Sequence, residues 1–277
     1  MVRIVTDSAS DIPAKVAEEL EITVVPLYVR FGNEVYRDGV ELNTKDFYCK
    51  LITSQTIPTT SAPTTRDFSE VYDRLAEETS EILSIHLSSK FSLVCQAALR
   101  GKERMRRKCR VEIIDSLTGA MGEGLIVITA AKEAQRGVSL DQIADTVRKA
   151  IFKAHVYVCL ETLEYLKMGG RIGRAQPLLG SALKINSIVR LEDGEIQPLC
   201  RERSRARAIE RLYDFAKRFA DIMSLAVEHG AAPDEAETLV LRLRASFPKE
   251  PIYVSTVGCA VGVHTGPHVI SVSILET

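Results

Sequence analysis

Four short segments of this 277-residue chain carry side chains suited to holding an anion. Pro58-Thr59-Thr60-Ser61-Ala62-Pro63-Thr64 is dense in hydroxyls and bracketed by prolines that fix φ on both sides. It can present Thr60 and Ser61 with backbone N–H groups as a rigid donor set, to which a helix from Thr65 adds its positive end. The plainer alternative is an ordinary helix N-cap. Ser88-Ser89, between an apolar run and a helix expected from about Phe91, repeats the device. His264, in Val263-His-Thr-Gly-Pro267, precedes a turn that pins the backbone beside an imidazole. In Leu163-Glu-Tyr-Leu-Lys-Met-Gly-Gly-Arg-Ile-Gly-Arg174 a helix-like segment runs into paired glycines. Arg171 and Arg174 there offer planar donor forks to an anionic group or an acidic partner; the alternative is a glycine-capped helix end.

Periodicity predicts the elements that position these segments. Residues 2–6 form a short β-rich run that leads through Asp7-Ser8-Ala9-Ser10-Asp11 into an amphipathic helix over 14–20, with Pro13 near its first turn. Residues 22–31 read as one strand region, 47–54 and 65–78 as helices, and 81–87 as a buried strand that empties into Ser88-Ser89. The pattern repeats with a strand at 111–115 and helices at 121–136 and 140–152. Strands alternating with helices imply a mostly parallel sheet, in which ligands sit at the carboxyl ends of the strands. Beyond this point come a strand at 156–160 and the glycine turn. A hairpin follows, residues 187–191 and 195–199 around Asp193-Gly194. Helices at 205–228 and 233–246 and strands at 252–257 and 269–275 complete the reading. The expected architecture is two α/β domains, 1–153 with a mostly parallel sheet and flanking helices and 154–277 with a smaller mixed sheet, and a ligand cleft between them.

Apolar content of 45% and charged content of 26% are those of a folded globular chain, which excludes disorder. The formal net charge of −1 gives no global attraction to nucleic acid or anionic membrane, leaving only local patches. Residues 100–110 hold seven cations against Glu103, and 201–211 hold five against Glu202 and Glu210. Neither interleaves aromatics that could stack bases, so no nucleic-acid partner is expected. The six cysteines (Cys49, Cys95, Cys109, Cys159, Cys200, Cys259) form no CxxC pair and no metal spacing, and read as reduced packing residues of a cytoplasmic protein without metal. No secretory leader and no apolar run of membrane-spanning length is expected, hence no stable membrane insertion. The chain has no GxSxG elbow, P-loop or post-strand GxGxxG. The enzyme alternative is a hydrolase or acyltransferase on a lipid ester, with Ser88 or Ser89 as nucleophile and His264 as base.

Taken together, Thr6-Asp7-Ser8, Asp38-Gly39-Val40, Thr60-Ser61-Ala62-Pro63, Ser88-Ser89, Asp115-Ser116 with Met121-Gly122, residues 163–173 and His264-Thr-Gly-Pro267 stand in the order seen in the DegV family. The chain resembles that family over its whole length. The resemblance implies a bacterial protein that binds one long-chain fatty acid, such as palmitate, stearate or oleate, without a cofactor. It also implies no catalysis of its own. It further implies a protein that is monomeric when free and that presents the carboxylate to a separate ATP-binding fatty acid kinase subunit for acyl-phosphate formation. Carboxylate contacts carry over to Thr60, with Ser61 adjacent, to Ser88 or Ser89, and to His264; docking arginines carry over to Arg171 and Arg203. The chain departs from the family pattern at Ala62 (usually glutamine), Ser92-Leu93-Val94 (usually Ser-Gly-Thr) and His268 (usually glycine). Leu93 and Val94 are expected to narrow or reshape the tunnel, and His268 to restrict the φ of its turn.

Overall fold

The computed structural model describes residues 1–178 and 185–277. In the first half lie strands β1 (Arg3–Asp7), β2 (Thr23–Val25), β3 (Tyr28–Phe31), β4 (Glu34–Arg37), β5 (Thr59–Ser61), β6 (Glu81–His86) and β7 (Arg110–Asp115). The second half supplies β8 (Ala154–Leu160), β9 (Asn186–Glu192), β10 (Glu195–Glu202), β11 (Ile222–His229), β12 (Ile252–Thr256) and β13 (Ile270–Glu276). Strands β2-β1-β6-β7 form a wholly parallel sheet, as expected for apolar strands joined through helices. Strands β10-β9-β8-β13-β11-β12 form a mixed sheet in which only the β11–β12 pair is parallel. This mixed sheet is the wider of the two, six strands against four.

The helix Ala120–Gln135 holds the two sheets together. It is apolar on nearly every side, with Leu125, Ile126 and Val127 all fully buried, and a helix hydrophobic all round has to be enclosed. One flank packs with Leu83 and Ile85 of the parallel sheet, and the same cluster includes Ala226 and Leu275 of the mixed sheet.

Two elements differ from the sequence expectation. The helix predicted over 205–228 stops at Ala216, and residues 222–229 are instead the buried strand β11. A strand between two neighbours in a covered sheet is apolar on both faces, so it lacks the alternation that separates strand from helix in a sequence. The region 22–31 splits because the chain changes sheets at Pro26-Leu27: β2 pairs with β1, whereas β3 joins an antiparallel trio with β4 and β5. The hydroxyl-rich loop is therefore strand β5, three residues long, with Thr60 opposite Val29. The helix Thr65–Leu75 follows it through a reciprocal cap. Thr64 Oγ1 accepts from the Asp67 N–H at 3.1 Å, and Asp67 Oδ2 accepts from the Thr64 N–H at 2.6 Å. No helix among the described residues is long and apolar enough to cross a membrane.

Candidate functional site

The short helix Cys259–Thr265 carries His264 on its last turn, and carboxylates fix its first turn. Asp38 accepts from the N–H groups of Cys259 at 3.1 Å and Ala260 at 3.2 Å, and Asp11 accepts from the Gly258 N–H at 3.0 Å. These are the donors that a helix start leaves without intrahelical partners. At the far end Gly266 adopts φ +76, and a Cβ there would stand 2.3 Å from the Tyr165 ring. A Cβ on Gly169 would lie 2.1 Å from His264 Nδ1. The paired glycines at 169–170 thus serve two ends: Gly170, at φ +69, turns the chain, and Gly169 lets its backbone lie against the imidazole.

His264 Nε2 lies 2.9 Å from Thr60 Oγ1, and Nδ1 is buried without a partner among the described residues. Burial, helped by the positive charge of Arg171, holds the imidazole down to about 4, so the ring is neutral near pH 7. With its proton on Nε2 it donates to Thr60 and frees the threonine hydroxyl to donate elsewhere.

Both groups face a channel of about 870 Å³, open mouth included. Leu27, Leu166 and Val261 line it together with Val158, Val189 and Ile196, so its walls are drawn from both halves of the chain. Its polar side chains are Thr60, Ser92, Arg171, His264, Thr265 and Ser271. Arg171 donates through Nε to the Phe91 carbonyl at 3.1 Å and through Nη1 to the Gly169 carbonyl at 2.6 Å, which ties the two rims together. Nη2 has no partner among the described residues. The mouth is therefore not cation-free: Arg171, expected to face a partner, also lines the channel.

The structure brings Thr60 and His264 together but places the other expected carboxylate contacts apart. Ser61 is exposed, because adjacent residues of a strand point to opposite faces. The buried Ser88 hydroxyl donates to the Gly194 carbonyl at 3.1 Å, and Ser89 is exposed with its N–H directed at Asp115. Among serines of that turn, Ser92 reaches the channel, since the helix begins only at Val94 and residues 88–93 curl under its start. The one signal for it in the sequence was its place at the head of the Ser-Leu-Val departure. Leu93 and Val94 do not reshape the channel: Leu93 is 66% exposed and Val94 is buried in the core beside Phe68 and Tyr72. His268 does take the glycine conformation, at φ +58. Its N–H donates to the Gly230 carbonyl, and its carbonyl accepts from Arg205. Arg203 is exposed and forms no ion pair among the described residues.

The fold also contains a Ser-His-Asp series, at a different place. Ser84 Oγ lies 2.7 Å from His86 Nε2, and His86 Nδ1 lies 3.0 Å from Asp7 Oδ2. All three residues are fully buried, with Tyr72 on the serine and none of them lining the channel, so the series joins β1 to β6 inside the core.

The sequence model described as "Uncharacterised protein, DegV family" matches residues 1–277. A DegV domain-containing protein of Streptomyces coelicolor is 37% identical over 275 residues, covering 98% of this chain and 97% of that protein. This chain belongs to the DegV family. Among solved structures, DegV of Bacillus subtilis, described as a fatty acid binding protein, matches with a TM-score of 0.92 and 29% identity. That match covers 100% of this chain and 99% of the Bacillus chain. A DegV family protein of Thermus thermophilus, solved for its fatty acid binding, matches with a TM-score of 0.90 and 29% identity, over 100% and 99%. The DegV fold thus accounts for the whole chain, and Thr60, Ser92, Arg171 and His264 are among the polar groups at one mainly apolar channel within it.

Proposed function

We propose that this DegV-family protein binds one long-chain fatty acid in the channel and presents its carboxylate to a separate ATP-binding kinase subunit. The carrying observation is the Thr60–His264 pair at a channel walled mainly by apolar side chains. Each buried methylene contributes about 0.8 kcal/mol, so a tail with about fourteen of them gains on the order of 11 kcal/mol before ordering costs. The head group loses hydration on entry and needs donors. Thr60, His264 and Ser92 supply them, with Arg171 Nη2 at the rim; Ser92 takes the place first expected for Ser88 or Ser89. Neutral donors leave a carboxylate oxygen able to attack a phosphoryl group that the partner delivers, whereas a bidentate arginine clamp would hold both oxygens. Arg171 is half engaged with carbonyls and Arg203 is exposed with no ion pair among the described residues, which suits both to an acidic face of that partner. The protein then catalyses nothing alone, and the boundary near residue 153 separates two domains whose cleft is the channel. Support comes from fatty acid binding in the Bacillus and Thermus relatives, the apolar walls and the paired donors. The hydrolase alternative lacks geometry, because Ser88 is tied to Gly194 and Ser89 faces solvent. Denaturing mass spectrometry of an organic extract of the purified protein tests the reading. One fatty acid per chain is expected; a wild-type extract without lipid would end it.

A further inference from the structure

Behind the channel lies a group of buried acids that the lipid reading does not use. Asp11, Asp38, Glu123 and Glu228 are each at most 7% exposed, and none forms an ion pair among the described residues. Asp11 and Glu228 are brought close together, because β11 sets Glu228 opposite Ser255 and the Ser255 hydroxyl donates to the Asp11 carbonyl. Glu228 is fully supplied with donors, since Oε1 accepts from the Met121 N–H at 3.1 Å and Oε2 from the Ser271 hydroxyl at 2.7 Å. Asp11 is not: Oδ1 accepts from the Gly258 N–H, and Oδ2 is buried with no donor. An acceptor lone pair facing a second carboxylate in the core is costly, and a proton between them removes both faults.

We propose that Asp11 is a neutral carboxylic acid whose Oδ2 proton bridges to Glu228, and that this pair, with Asp38, is the positioning device that fixes the helix Cys259–Thr265 and thereby His264 at the channel mouth. The titratable groups whose charges reach Asp11 are Glu228 of β11, Asp38 after β4, Glu123 of the central helix, Tyr48 of the helix Thr44–Thr53 and Cys259. All are acids or weak acids, and none is a cation. Burial pushes both Asp11 and Glu228 upward, and the charges of Glu228 and Asp38 push Asp11 further, whereas the hydrogen bonds to Glu228 pull it back, so Asp11 is the partner that retains the proton. The bridge spans distant segments. Asp11 holds Gly258 at the start of the histidine helix, and a Cβ on Gly258 would stand 2.5 Å from Asp11 Oδ1. Glu228 holds Ser271 and the start of the central helix, which border the channel at Ala120 and Ser271.

The proton is independent of the lipid reading, whereas its effect on lipid retention rests on that reading, so the tests separate. Infrared difference spectra at about pH 8 should show a neutral carboxyl C=O band in the wild type that Asp11→Asn removes and Asp38→Asn retains. Identical spectra for wild type and Asp11→Asn would overturn the shared proton. By NMR, the His264 imidazole should move up by about one unit in Asp11→Ala as its helix loosens, and should stay near about 4 in Asp11→Asn, whose amide donates to Glu228. A His264 titration unchanged in Asp11→Ala would refute the positioning role. Should Asp11→Ala fail to fold, Glu228→Ala provides the same readout. Retained lipid should fall at least about tenfold in Asp11→Ala and stay within about twofold in Asp11→Asn. Wild type without lipid would overturn the proposed function while leaving the infrared and NMR results to decide this one.

Discussion

Thr60 Oγ1 and His264 Nε2 meet at 2.9 Å across 204 residues of sequence, and together they form the polar end of an apolar channel. Thr60→Val keeps the side-chain volume and removes the hydroxyl. A charged hydrogen bond contributes about 1.5 to 3 kcal/mol, so displacement of a fluorescent fatty acid should show affinity about 10- to 100-fold weaker. Unchanged affinity would remove Thr60 from the head-group contacts.

The same histidine makes a prediction for pH. Its imidazole is held at about 4 when folded against 6.5 ordinarily, so between those values the folded protein binds fewer protons than the unfolded chain. Its contribution to stability is complete above about pH 6.5 and falls as pH drops toward 4, by about 3 kcal/mol at most. The raised buried carboxyls act in the opposite sense, so the effect is read as a difference. Urea denaturation of wild type and His264→Gln should diverge between pH 4 and 6.5, with the variant losing less stability on acidification. Parallel curves would contradict the buried, neutral ring.

Gly169 has φ −75, open to any residue, so its demand is purely steric. A methyl group 2.1 Å from His264 Nδ1 must push the ring or the turn aside. Overpacking of this kind costs about 1–3 kcal/mol, and Gly169→Ala should weaken fatty acid binding about tenfold or more. A crystal structure of the variant with His264 unmoved and binding intact would show that the contact is incidental.

The two arginines should separate under charge reversal. Arg203→Glu changes an exposed side chain and should leave extracted lipid at wild-type level, while abolishing phosphorylation by a partner kinase subunit. Arg171→Glu breaks the link between the Phe91 and Gly169 carbonyls and should lower lipid content as well. Equal lipid in both variants would return Arg171 to docking alone.

Much of this was legible in the residues themselves. The Asp-Gly hairpin, the parallel strands and the histidine-glycine-proline turn rest on local chemistry that does not depend on distant neighbours. Residues 222–229 were misread because burial of all but Met223 and the terminal His229 erases periodicity, and Ser61 because a three-residue strand, too short to show alternation, decides which of two adjacent hydroxyls faces inward. Ser88 and Ser92 are equally plausible donors in sequence. Only the contact between Ser88 and Gly194, 106 residues away, shows that the first is already occupied. The buried acids were invisible for the same reason: Asp11 and Glu228 become neighbours only in the fold, where Ser255 pairs with Glu228 and bonds the Asp11 carbonyl.

Strand β13 lies between β8 and β11, and both Val269 and Ser271 line the channel. Until residues 270–276 have left the ribosome, β8 and β11 each present a raw edge and the channel lacks one wall. On the proposed function, a nascent chain short of this strand lacks one side of the ligand's channel, so uptake is expected to follow its translation.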